Sequence, residues 1–169
     1  NSLSDLLEYY EDAYLLFSVP EFTRSLANNM RSASKVYAVD PAMFGAFSPA
    51  SALDQGQRLE TAVFNALRRR TPAVRIGSVC RLLIKEKSKS HEVDFVAGDA
   101  LLMRAYSLIQ VSVDMASEKT REREIAALDA SMAQFDLGES AIVTMDEQAD
   151  IPCEHGVVHV VPAWKWLLA

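Results

Sequence analysis

The stretch from His91 to Asp114 constrains this chain most. It reads as two strands joined by a turn. The first is Glu92-Val93-Asp94-Phe95-Val96. A turn with Gly98 and Asp99 follows, and then an extended run to Ile109-Gln110-Val111-Ser112-Val113. Side chains of a strand alternate between faces, so Val93 and Phe95 are expected on one face and Glu92 and Asp94 on the other. Likewise Ile109, Val111 and Val113 oppose Gln110 and Ser112. An acid between Val93 and Phe95, and an amide inside LIQVSV, place polar groups in strands apolar enough to be central. Buried polar groups cost free energy unless partnered, so this pattern demands an explanation.

The 169 residues can bury a core as one domain with a small appendage. No apolar run approaches the ~18 residues of a membrane span, so no membrane partner is expected. The two cysteines, Cys80 and Cys153, form no metal or redox motif, which fits a reducing, cytoplasmic setting. A formal charge of -6 argues against unassisted wrapping by nucleic acid. There is no Walker-type phosphate loop, no Rossmann glycine pattern and no nucleophile elbow. ATP binding by this stretch is therefore not expected. The three histidines, His91, His155 and His159, lack metal-ligand spacing with the cysteines.

Ser2 or Ser4 is positioned to cap a short helix running to Asp12, with Leu3, Leu6, Leu7 and Tyr10 as its apolar stripe. Tyr14 to Val19 reads as a strand closed by Pro20, and Lys35 to Asp40 as a second stopped by Pro41. Between them lies a polar, basic stretch. Helix, strand, basic loop, strand fits the end of a winged helix; the pattern is generic, and on its own it favours a plain helix-plus-hairpin extension over a working DNA reader. Gly45 to Pro49 is the candidate boundary, giving a partial winged-helix-like element over residues 1–45 and a main domain over 46–169.

A helix is expected from Ser51 to Arg70, with Leu59, Val63, Ala66 and Leu67 on one face. Glu60 falls inside that apolar arc. A carboxylate there needs a partner, a proton or a metal, unless it sits at the rim and reaches solvent. Arg68-Arg69-Arg70 suits the helix C-terminus, where cations meet the dipole. Strands are predicted at Ala73–Gly77 and Cys80–Glu86, and a hairpin turn at Lys85–Ser90. A helix capped by Ser117 buries Ile125, Leu128, Met132 and Phe135, and Gly138 closes it. Strands at Ala141–Met145 and Gly156–Val161 and a terminal Trp164–Leu168 segment complete an α/β sandwich with a mixed sheet.

A helical Glu, a strand carrying V-D-F-V, a strand with a polar-x-polar step and then a helix together resemble the PD-(D/E)XK nuclease-like fold. The chain is similar above all to the domain of unknown function that follows the ATPase core of bacterial and archaeal AAA-type ATP-binding proteins. Lys35 to Asp40, Gly56 through Glu60 to Arg69, Glu92 to Val96, Leu108 to Val111, Thr120 to Glu124 and Pro162 to Leu168 carry the likeness. The resemblance implies a mixed central sheet flanked by helices, preceded by a partial winged-helix-like element. It also implies an upstream AAA-type ATPase domain as the partner within a longer polypeptide.

In active members of that fold, a helical Glu, a strand Asp and a Glu on the next strand hold a divalent metal. A Lys two residues further on serves the attacking water. Hard Mg2+ wants carboxylate oxygens, and phosphodiester attack needs a deprotonated water. Carried over, Glu60 and Asp94 match as the metal residues. Gln110 stands where the third acid belongs, and Ser112 where the lysine belongs. Neither replaces what is lost. Lys85 or Lys87 could reach in from another strand, and Glu92 is a substitute ligand because it shares a strand face with Asp94. The expectation is a degenerate nuclease-like module, without a cofactor, that binds nucleic acid or a protein. The alternative is a metal-dependent DNA nuclease using Glu60, Asp94 and Mg2+. Glu60, Asp94 and Gln110 are expected to converge in one cleft.

Overall fold

The computed structural model of the chain describes residues 2–25, 34–43, 52–70, 78–85 and 90–169, with backbone alone for 52–54, 85 and 90. The boundary expected at Gly45–Pro49, the strand expected at Ala73–Gly77 and the position of Lys87 lie outside the described residues.

Helix α1 (Leu3–Asp12) starts where its cap dictates. The Ser2 hydroxyl accepts from the Asp5 N–H at 3.3 Å, and the Asp5 carboxylate accepts from the Ser2 N–H at 2.8 Å, a reciprocal capping box. No residue of α1 is buried. Its stripe is amphipathic by sequence, yet Leu3 is 85% exposed.

Strands β1 (Leu16–Val19) and β2 (Lys35–Ala38) pair antiparallel, Leu16 with Ala38 through Val19 with Lys35. The expected hairpin pairing is present, and it packs on the main sheet. Val19 and Tyr37 are buried in one cluster with Phe64 of helix α2 (Ala52–Arg70) and Phe95 of the sheet. Beyond β1 the chain clips onto the sheet edge. Arg81 N–H donates to the Pro20 carbonyl at 2.9 Å, and Phe22 N–H donates to the Arg81 carbonyl at 2.8 Å.

Among the described residues the main sheet has six strands, in the order β3-β4-β5-β6-β8-β7. They are β3 (Val79–Lys85), β4 (Ser90–Asp99), β5 (Arg104–Val111), β6 (Glu139–Thr144), β7 (Ala149–Pro152) and β8 (Val157–Pro162). The first three form an antiparallel meander. Helix α3 (Glu118–Phe135) then crosses over, so that β5, β6 and β8 run parallel. A short helix α4 (Ala163–Leu168) ends the chain. Leu128 and Met132 of α3 cover one face together with Val93, Val96, Leu108, Ile142 and Val158. Val63, Phe64 and Leu67 of α2 cover the other with Phe95, Ile109 and Val143. Each fully buried large side chain contributes about 1.5–3 kcal/mol of transfer free energy. The architecture is thus a mixed α/β sandwich with a six-stranded central sheet between helices.

The expected alternation fails between β3 and β4, next to the site, and the β4–β5 pairing shifts register once more at Ala97–Gly98. Cys80 pairs with Val96 but Leu82 pairs with Val93, so two steps of β3 span three steps of β4. The extra residue is a β-bulge over Asp94 and Phe95. Val93 consequently faces α3 while Phe95 faces α2, instead of sharing a face. A second correction concerns the end of α3. Asp136, at φ 55°, takes the left-handed cap expected of Gly138. Gly138 instead lies against Gly156: a Cβ added at Gly156 would stand 2.2 Å from the Gly138 carbonyl oxygen. That oxygen also accepts from the Val157 N–H at 2.9 Å, so the strand starts of β6 and β8 are locked together. Gly156→Ala is expected to lower unfolding stability by at least about 1 kcal/mol through backbone displacement, read as a shifted urea midpoint at constant slope.

Candidate functional site

The bulge gives Asp94 its role. The β4–β5 ladder of backbone pairs begins at Phe95 and Ile109, leaving the next N–H groups without ladder partners. Side chains take over reciprocally. Gln110 Oε1 accepts from the Asp94 N–H at 3.0 Å, and Asp94 Oδ2 accepts from the Val111 N–H at 3.0 Å. This accounts for both polar residues in central strands: each satisfies a backbone donor just beyond the start of the β4–β5 ladder.

The other Asp94 oxygen meets a cation. Lys35 Nζ donates to Asp94 Oδ1 at 2.8 Å and to Glu60 Oε1 at 3.0 Å. It also lies 3.1 Å from Glu92 Oε1, an ion pair without hydrogen-bond alignment. One ammonium from β2 therefore joins a carboxylate of α2 to two carboxylates of β4. The Tyr37 hydroxyl donates to the same Glu60 oxygen at 2.6 Å. Its ring stacks on Phe64, with centroids 4.6 Å apart, and is tilted against Phe95. Residues i and i+2 of a strand share a face, so the order Lys35-Val36-Tyr37 aims both polar heads at Glu60.

Three carboxylates surround one ammonium, with the Arg81 guanidinium 3.7 Å from Glu92 as a further cation. The electrostatics follow. Burial, seconded by the charge of Glu60, pushes the Asp94 carboxyl up to about 6, although Lys35 and the Val111 N–H oppose the rise. Burial disfavours the Lys35 ammonium, but Asp94 and Glu60 more than offset it and hold the amine above its ordinary range. Burial and the adjacent Glu60 likewise raise the Tyr37 phenol, which stays a neutral donor.

The four residues singled out from sequence separate accordingly. Glu60 and Asp94 meet through Lys35. Gln110 joins them only through the Asp94 backbone, its oxygen committed to an N–H. Ser112 lies past the end of β5 and donates to the Asp114 carbonyl at 2.7 Å, so it does not take a lysine's place in the cluster. Glu92 sits beside Asp94, where the shared strand face put it. A cavity of about 260 Å3 opens beside Lys35, Gln57, Glu60 and Thr61. Another of about 310 Å3 opens beside His91, Asp94, Gln110 and Glu124.

No protein-family model matches the chain, and no solved structure matches it. An uncharacterized protein of Methanocaldococcus jannaschii is 33% identical over 169 residues, which take in 96% of this chain and 35% of that protein. The chain thus spans about a third of the length of the curated relative it matches.

A divalent ion does not fit the cluster as it stands. Mg2+ takes oxygens at about 2.0–2.1 Å, which brings its ligands close together. Here the oxygens stand around an ammonium at about 3 Å. Among the described residues, only Asp129, Glu154 and His155 bring three ligand atoms within 4.8 Å of one another. That group is a surface cluster in which the His155 ring lies 3.2 Å from Asp129.

Lys35 and Tyr37 are the residues that sequence reasoning missed. The signal was available: a cation and a phenol two apart, on a strand bounded by Pro41 and otherwise apolar. Nothing local says that this strand packs over α2.

Proposed function

We propose that this chain is a PD-(D/E)XK nuclease-like domain without catalytic activity, serving as the accessory module of a AAA-type ATPase. A single observation carries the reading: Lys35 Nζ occupies the centre of the Glu60, Glu92 and Asp94 carboxylates, at 3.0, 3.1 and 2.8 Å. The ammonium sits where a metal would have to sit. Gln110 and Ser112 are spent on backbone groups. Loss of acid–base help alone costs on the order of 10² to 10⁴ in rate, and loss of metal adds to it.

A protein is favoured over nucleic acid as the partner. The net charge is -6. The most concentrated cationic run, Arg68 to Arg70, is exposed, and each of its arginines is tied to a neighbouring group of the fold. Arg68 lies over the Phe17 ring, Arg69 donates to the Asn65 carbonyl, and Arg70 lies over Trp166 and donates to its carbonyl. No helix among the described residues is long and apolar enough to cross a membrane. A cytoplasmic setting accords with the free thiols of Cys80 and Cys153.

One observation favours a second reading, a metal-dependent DNA nuclease. Glu92 and Lys35 supply from other positions the acid and the lysine that Gln110 and Ser112 lack. A single assay separates the two. Labelled single-stranded, duplex and branched DNA are incubated with Mg2+ or Mn2+ and with the chain or its Asp94→Ala variant. No cleavage above the variant is the expected result. Metal-dependent cleavage that the variant loses would establish the second reading.

A further inference from the structure

Lys35 holds three elements together at one point: its own strand β2, helix α2 through Glu60, and strand β4 through Glu92 and Asp94. An ammonium has three donors and no acceptor, and here two of its hydrogen bonds go to Glu60 and Asp94 while Glu92 is held by charge alone. The lysine arrives on a docked element. Val19 and Tyr37 of the β1–β2 hairpin are buried against Phe64 and Phe95, and Tyr37 bonds the same Glu60 oxygen that Lys35 does.

We propose that Lys35 is a built-in cation standing in for a divalent ion. While the hairpin is docked it closes the Glu60–Glu92–Asp94 site to Mg2+ and Mn2+, and removal of the ammonium alone opens that site to them. The proposal deepens the reading of a non-catalytic nuclease-like domain, and rests on it, by saying what keeps the site silent.

The donor chemistry supports it. Carboxylate oxygens are what hard divalent cations take. With the ammonium removed, three acids share one neighbourhood, and among the described residues Arg81 beside Glu92 is the cation left paired with them. Their mutual repulsion favours recruitment of a cation. Asp94 is fixed by the Val111 N–H, whereas the Glu60 and Glu92 side chains are 22% and 38% exposed and have room to close from ammonium spacing to metal spacing. A lysine in the ion's place also explains why the oxygens lie at ammonium distance.

The test is Mn2+ binding without nucleic acid, by calorimetry and electron paramagnetic resonance. It compares the wild-type chain with Lys35→Met, Lys35→Arg and Lys35→Met/Asp94→Ala. Lys35→Met is expected to gain one Mn2+ bound at least tenfold more tightly than by wild type, and the added Asp94→Ala is expected to abolish it. Lys35→Arg, which keeps a cation, is expected to behave as wild type. A folded Lys35→Met without the gain overturns the proposal, as does wild type binding Mn2+ as tightly as Lys35→Met. Should Lys35→Met not fold, the wild-type chain decides. The Lys35 side-chain nitrogen resonance is expected to stay unmoved by excess Mg2+, and its displacement overturns the proposal. Wild-type binding without DNA cleavage would remove this inference alone, whereas cleavage would remove the reading beneath it.

Discussion

Lys35→Met is expected to destabilise the fold by about 2–3 kcal/mol. Removing one partner of a buried ion pair typically costs about 3–5 kcal/mol, because a charge is left uncompensated. The Lys35 side chain is 29% exposed and that of Glu60 22%, so solvent screening brings the figure below that range. Methionine preserves the apolar stem, which limits the loss to the charge and its bonds. The effect should be largest in the docking of the β1–β2 hairpin, since Lys35 and Tyr37 carry its polar contacts to α2. Urea unfolding gives the magnitude. Hydrogen exchange at Phe17 and Tyr37 gives the location, and loss of protection there ahead of the six-stranded sheet is the expected pattern. The sign with pH follows from the raised amine. The Lys35 contribution is complete below the ordinary lysine value of 10.5 and is lost only as pH rises above it. A wild-type-like stability for Lys35→Met at neutral pH would mean that the ammonium adds nothing net over the solvated carboxylates.

The contrast between Lys35 and Glu60 shows what a sequence discloses. Glu60 was legible because a helix has a fixed period, and an acid inside an apolar arc stands out against it. Asp94 and Gln110 were legible as anomalies for the same reason, with a period of two. Their roles were not, because the bulge that sets those roles arises from pairing between strands. Two steps of β3 against three of β4 is a property of the pair, and nothing in Glu92 to Val96 announces it. The partners of Lys35 were hidden for a related reason. A lysine opening a strand is ordinary, and only docking of the hairpin over α2 brings it to residues 25 and 59 positions away in the chain. Strand β7 was missed because Ala149-Asp150-Ile151-Pro152 has little intrinsic preference for a strand and forms one by pairing with β8 alone. The stripe of α1 illustrates the opposite limit. Periodicity correctly located the helix, but it does not specify whether anything covers the apolar face.

Asp94 offers the sharpest test of which charge dominates the cluster. Burial and Glu60 favour its neutral form, and Lys35 favours its anion; the balance puts the carboxyl at about 6, above the ordinary 3.8. An acid whose value is raised by folding stabilises the native state most when protonated in both states, below about pH 4. That contribution is lost as pH rises through 6. The expected observable is a double difference. Unfolding free energies of wild type and Asp94→Asn, measured in urea at intervals between pH 4 and pH 7, should diverge. Asparagine does not titrate, so subtracting its profile removes most other groups. The advantage of wild type over Asp94→Asn should shrink by up to about 3 kcal/mol across that interval, since each pKa unit corresponds to about 1.4 kcal/mol. Carbon-13 NMR of the Asp94 carboxyl should show the matching midpoint near 6. A difference that grows with pH would reverse the sign and mean that the ammonium at 2.8 Å outweighs burial and Glu60. The anion would then be the form the fold selects, and Lys35 a stronger counterion than a cluster with three acids to one lysine implies.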